Sequence, residues 1–158
     1  MRKTVHSIWK SSIPCISSIS GINWAMTIQP LPMPTLSKSQ GVNSLGLSAS
    51  SGPLTLFLLS YNWGNIEDDG KVTEAAMKLI SNIDEVAKEK GMGMGSEFKY
   101  LNYAAGWQNS IGGYGAENLG TLRRVSEKYD PDGLSQKLCE GGFKISKSWA
   151  SGGSGLID

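Results

Sequence analysis

Nine residues, KYLNYAAGW at 99–107, gather Tyr100, Asn102, Tyr103 and Trp107. A tyrosine phenol can act as a general base if something lowers its pKa from about 10. A neighbouring cation would do so, as would a cofactor that accepts the electrons while the proton leaves. The amide of an asparagine offers donors and an acceptor to a polar ligand. The stretch reads as the end of a strand running into a loop, and alternate strand residues face opposite ways. Tyr100 and Asn102 would then share one face, and Lys99, Leu101 and Tyr103 the other. The plainer reading is an aromatic patch covering a small core.

Other chemistries find little support. The single histidine, His6, lies in a Ser-rich N-terminal stretch and is poorly set for a Ser-His-Asp or Cys-His site. No His, Cys or carboxylate grouping has zinc or iron spacing. Glu67, Asp68 and Asp69 would suit a cation, but they also suit a solvated helix start. Cys15 and Cys139 have neither zinc nor redox-pair spacing and read as two free thiols. The run GMGMG at 91–95 follows a helix pattern, whereas a phosphate loop follows a strand.

What would hold the 99–107 stretch in place? LTLFLLSY (54–61) is an almost continuous apolar run, the pattern of a strand buried on both faces. KVTEAAMKLISNIDEVAKEK (71–90) carries Val72, Ala76, Leu79, Ile80, Ile83 and Val86 at helical spacing, with Gly91 as its stop. YGAENLGTLRRVSEKY (114–129) is a second helix with the stripe Leu119, Leu122 and Val125, and Gly120 costs it about 1 kcal/mol relative to Ala. DPDG (130–133) is a turn in which Pro131 fixes φ and Gly133 permits positive φ.

Further strands are expected at 22–29, where Pro30, Pro32 and Pro34 would end any ladder, and at EFKYLNYA (97–104). Residues 35–53 read as a long Ser/Gly-rich loop with a short strand at NSLGL, and GGFKIS as an edge strand. The fold class is α+β, a mixed or antiparallel sheet with helices packed on one face.

At 158 residues the chain has the size of one ordinary domain, able to bury a core. It is 39% hydrophobic and 18% charged, as soluble globular proteins are. No acid precedes Glu67, and residues 1–66 carry only Arg2, Lys3, Lys10 and Lys38 as basic groups. No basic cluster marks a nucleic-acid partner, and Arg123-Arg124 reads as a solvated helix face. No run approaches the ~20 apolar residues of a membrane span. Lys10 and several serines break the N-terminal apolar pattern that a signal peptide needs, so the compartment stays open.

The stretch YLNYAAGWQNSIGGYGAENLGTLRRVSEKYDPDG (100–133) resembles the C-terminal signature of the berberine bridge enzyme-like family. Its parts are an Asn-Tyr strand end, a loop, a Tyr-Gly-x-x-Asn helix start, a Leu-Arg helix and a Lys-Tyr-Asp-Pro-Asp-Gly turn. GINWAMTIQPLP, NSLGL, PLTLFLLSYNW and GGFKIS resemble fungal members in the same order. Ser135 stands where the family turn continues with Phe.

The resemblance implies an FAD-linked oxidase of the vanillyl-alcohol-oxidase type of fold, acting on an alcohol, amine or C–H site with O2 as acceptor. It implies a small-molecule substrate and an FAD-binding domain in cis. Tyr103 would be the catalytic base and Asn102 a cofactor contact. The expected organisation is a divergent, disordered stretch at 1–20, a partial substrate domain at 21–146 and a flexible tail at 147–158. With no FAD-binding module in 158 residues, the chain by itself would bind FAD weakly or not at all and would be inactive alone as a fragment, so its status as an enzyme stays open. The other reading is a stand-alone, non-catalytic α+β binding module derived from that family.

Overall fold

A computed structural model describes residues 2–39, 41–92 and 97–148. Most of GMGMG and most of the expected tail lie outside these residues. The fold is α+β, with five helices and a two-stranded antiparallel sheet among the described residues. The chain forms two compact units rather than one domain around one core.

The first unit comprises Met1–Leu31 and Leu54–Ser96. It holds α1 (Arg2–Ile16), β1 (Asn23–Leu31), β2 (Leu54–Asn62) and α3 (Asp69–Glu89). The second unit comprises Pro32–Pro53 and Glu97–Asp158. It holds α2 (Met33–Ser39), α4 (Ala116–Tyr129) and α5 (Leu134–Lys137).

In the first unit, strand alternation and helical spacing meet in one core. Trp24 pairs with Tyr61, Met26 with Leu59 and Ile28 with Phe57 across the strands. All six contribute to the same apolar cluster as Val72, Ala76, Leu79 and Ile83 of α3. Those four α3 residues are buried, which makes the expected stripe the core-facing side of a 21-residue helix. Helices thus pack on one face of the sheet. No residue of β2 is fully buried, contrary to the expectation of burial on both faces. Within this unit the helix layer covers only one of the two.

The start of α3 follows a 3₁₀ turn at Ile66–Asp68, and the Trp63 indole donates to Asp69 Oδ1 at 2.7 Å. Its end is a Schellman closure. Met92 N–H donates to the Ala87 carbonyl at 2.8 Å, and Gly91 N–H to the Lys88 carbonyl at 2.9 Å. Gly91 sits at φ +67°, the left-handed geometry expected of the stop residue.

The N-terminal stretch is not disordered as expected: it forms α1. Serines and Lys10 interrupt the apolar run, but Val5, Ile8, Trp9, Ile13 and Ile16 recur at helical spacing and join the first unit's core. Trp24 Nε1 donates to the Ser12 hydroxyl at 3.0 Å, a further tie between β1 and α1. Pro30 does not end the ladder either, since β1 runs to Leu31 and Pro30 lies opposite Thr55. β1 pairs with β2 alone among the described strands, and an edge strand tolerates a residue without an N–H.

In the second unit Ile111, Tyr114 and Leu119 are buried, with Leu45, Phe98, Leu122, Phe143 and Ile145 packed on them. None of its described residues forms a strand. The expected strands at 97–104, NSLGL and GGFKIS are therefore corrected. A β propensity is realised only when a second strand takes up the backbone hydrogen bonds. Part of the expected Ser/Gly-rich loop is helical, as α2. Pro34 is tolerated there because it lies in the first turn, where N–H groups have no intrahelical partner.

Val125 of α4 is 48% exposed and leaves the expected stripe. Gly120 lies inside α4, and a methyl group there would come no closer than 3.6 Å, to the end of Arg124. Gly120→Ala is therefore expected to stabilise the chain by about 1 kcal/mol. A urea melt with an unchanged or lower midpoint would refute this.

Candidate functional site

The 99–114 segment is built by short-range hydrogen bonds in place of strand pairing. Tyr100 is extended, at φ −66° and ψ 120°, and opens a 3₁₀ turn over Leu101–Tyr103. Tyr103 N–H closes the turn on the Tyr100 carbonyl at 2.8 Å. The following loop is pinned by Gln108, whose side-chain oxygen accepts from Ala105 N–H at 2.9 Å. Ser110 is fully buried, and its hydroxyl donates to the Lys99 carbonyl at 2.8 Å. A second 3₁₀ turn, Ile111–Tyr114, leads into α4 through Gly115 at φ +90°.

This geometry changes which side chains meet. A 3₁₀ turn has three residues per turn, so side chains at i and i+3 eclipse. Tyr100 and Tyr103, assigned to opposite faces by strand alternation, are instead partners. Their ring centroids lie 4.9 Å apart at 87°, edge to face. Such pairs contribute about 0.5–1.5 kcal/mol beyond burial. Asn102 Nδ2 donates to the Tyr100 hydroxyl at 3.2 Å. Three groups singled out in the sequence thus form one cluster. Its rim is open: Leu101, Tyr103 and Trp107 are 38%, 40% and 38% exposed.

Two residues before Tyr100 in the chain, Phe98 packs on the second unit's core. Phe98 stacks on Tyr114 with centroids 5.6 Å apart. Asn118 Nδ2 donates to the Tyr114 carbonyl at 3.0 Å, so the Tyr-Gly-x-x-Asn spacing closes one turn on itself. Sequence reading missed Ser110, Gln108 and two glycines, Gly46 and Gly113, where an added methyl would run into neighbouring backbone. A lone serine or glycine in a polar loop carries no signal of that kind.

The Asp130–Gly133 turn anchors the far end of α4. Gly133 N–H donates to the Asp130 carbonyl at 2.9 Å, and Gly133 has φ +65°. One oxygen of the Asp130 carboxylate accepts from Leu134 N–H at 2.7 Å. The other accepts from Ser135 N–H at 3.0 Å and from the Ser135 hydroxyl. Where the resembled family has Phe, the hydroxyl of Ser135 adds a hydrogen bond to the cap.

The Asp130 carboxyl is held below its ordinary 3.8, first by the Ser135 hydroxyl. Desolvation opposes this, and the two N–H groups and the Lys137 charge add to it. A depressed carboxyl stabilises the fold above its unfolded pKa, and that contribution is lost as pH falls through the folded value. An NMR titration should place the Asp130 midpoint below 3.8, and Ser135→Ala should move it upward. A midpoint indifferent to Ser135→Ala would refute the assignment.

Elsewhere, Cys15 and Cys139 are exposed and unpaired. No group of three or more His, Cys, Asp or Glu able to hold a metal ion occurs among the described residues. No described helix is long and apolar enough to cross a membrane. Arg123 and Arg124 lie on the exposed side of α4 and donate to the Ser148 carbonyl and the Thr121 hydroxyl.

Comparison with known proteins gives this cluster a context. The chain is 39% identical over 135 residues to the FAD-dependent monooxygenase drtC of Aspergillus calidoustus, covering 83% of this chain and 25% of that protein. It is 43% identical over 112 residues to the FAD-dependent monooxygenase sdcF of Emericella nidulans, covering 71% and 23%. It is 33% identical over 145 residues to the oligopeptidase PhomG' of Diaporthe leptostromiformis, covering 90% of this chain but 12% of that protein. No family model and no solved structure matches. The chain spans about a quarter of the length of the FAD-dependent relatives, and it is homologous to that segment of fungal FAD-linked oxidoreductases.

Proposed function

We propose that this chain supplies the substrate-side segment of an FAD-dependent oxidoreductase of the berberine bridge enzyme-like type. Tyr103 takes a proton from an alcohol, amine or C–H site of a small-molecule substrate, and Asn102 contacts the flavin. The observation that carries the reading is the cluster itself. A half-exposed phenol and an amide are held together by Tyr100 on a turn whose rim is apolar and aromatic.

The residues fit a flavin in part. Leu101, Tyr103 and Trp107 offer apolar surface to a flat ring, and Asn102 offers hydrogen bonds to its polar edge. Among the described residues no Gly-rich turn leads from a strand into a helix, the arrangement that cradles a pyrophosphate. Gripping the cofactor is therefore the task of an FAD-binding domain in cis. When bound, FAD supplies the two-electron acceptor. The part of this chain is to receive the proton at the Tyr103 oxygen, which must be a phenolate to act as base, and to present an apolar rim to substrate.

The relatives are named monooxygenases, whereas proton removal by Tyr103 suits dehydrogenation with O2 as the final acceptor. The two differ in the fate of oxygen. The test replaces the matching quarter of the Aspergillus calidoustus relative with this chain and supplies that relative's substrate under ¹⁸O₂. Dehydrogenation predicts one H2O2 per product and no label in the product. Labelled product would sink the oxidase assignment. Failure of substrate to reduce the flavin at all would sink the whole reading.

A further inference from the structure

We infer that Tyr100 is a positioning residue that holds both Tyr103 and Asn102, the first through its ring and the second through its hydroxyl. This rests on the function proposed for those two residues. Tyr100 itself is assigned no contact with substrate.

The backbone explains how one side chain serves two neighbours. In a strand, residues 100 and 103 would point to opposite faces, and no single side chain would touch both 102 and 103. The Leu101–Tyr103 turn eclipses i and i+3, and the Tyr103 N–H bond to the Tyr100 carbonyl locks that relation. The edge-to-face contact then restricts the half-exposed Tyr103 ring, and the phenol oxygen of Tyr100 takes up the Asn102 amide. Tyr100 is less exposed than either partner, so it is the member of the cluster best placed to be the fixed point.

The hydroxyl and the ring can be removed separately. NMR of the full chain would follow the Tyr103 ring protons and the Asn102 side-chain amide protons. Tyr100→Phe is expected to shift the Asn102 amide while leaving the Tyr103 ring shifts in place. Tyr100→Leu is expected to abolish the ring-current shift at Tyr103 and to move Asn102 as well. Unmoved Tyr103 and Asn102 signals in Tyr100→Leu would overturn the inference. A merely structural role would broaden signals throughout the second unit instead, and that result would also overturn it.

In the flavin-loaded chimera, Tyr100→Leu is expected to lower kcat about 10- to 100-fold with little change in KM, as misplacement of a reacting group does. An unchanged kcat would count against positioning. The spectroscopic result reads the coupling with no flavin present. It therefore stands or falls separately from the oxidoreductase reading.

Discussion

Tyr103→Phe in the flavin-loaded chimera is expected to lower the rate of flavin reduction by substrate about 10²- to 10⁴-fold, the usual contribution of one general base. The substitution removes the phenol oxygen and keeps the ring. The edge-to-face contact with Tyr100 at 4.9 Å needs only the ring. Tyr103 N–H, which closes the 3₁₀ turn, is a backbone group and is untouched. At a residue this exposed, stability should stay within about 0.5 kcal/mol of the parent. The loss would therefore read chemistry rather than folding. Flavin absorbance should be retained, and the fall should appear in single-turnover reduction under anaerobic conditions, where reaction with O2 contributes nothing. A rate within a few-fold of the parent would remove Tyr103 from the base role. Asn102 and the oxidoreductase assignment would be left standing.

The largest structural effect is expected at Gly46. Its φ of +73° is left-handed, and an added methyl would lie 2.2 Å from the Tyr114 carbonyl oxygen and 3.2 Å from Asn118 Nδ2. Neither neighbour can yield easily. The carbonyl belongs to the turn that enters α4, and it already accepts the Asn118 amide. Forcing a side chain into left-handed geometry costs about 1–2 kcal/mol, and overpacking against fixed backbone about 1–3 more. Gly46→Ala should therefore destabilise the chain by about 2–5 kcal/mol. Gly91 sits at φ +67° in the Schellman closure with nothing within 4 Å, so Gly91→Ala isolates the left-handed backbone cost alone. Gly113 is the complementary case. Its φ is not left-handed, yet a methyl would fall 2.0 Å from the Glu97 carbonyl oxygen. Chemical denaturation should rank Gly46→Ala below Gly91→Ala in stability. Equal midpoints for those two would mean that the 43–47 loop does not press on the Tyr114 corner in solution.

Part of this protein was legible residue by residue. The 71–90 helix announced its buried stripe, its acidic start and its glycine stop, because helical spacing and end chemistry are local properties. The same holds for α4, for the positive φ of Gly133 in DPDG, and for β2 as a strand. Tyr100, Asn102 and Tyr103 stood out by residue type alone. Their grouping did not, because it depended on a backbone conformation that the β-prone composition of 97–104 argued against.

Four outcomes belonged to tertiary structure. The Ser-rich N-terminus became α1 because the faces of α3 and the sheet offered its spaced apolar residues somewhere to pack. Pro30 stayed in the ladder because β1 has one described partner strand. The apolar β2 was left half-covered because its unit supplies helices to one face only. Residues 97–104 gave up a strand for a 3₁₀ turn because no second strand lies beside them among the described residues. Helix caps and turns satisfy their hydrogen bonds within a few residues, so composition and spacing determined them. A strand satisfies its own across distance, and only the folded chain decides whether a partner is there.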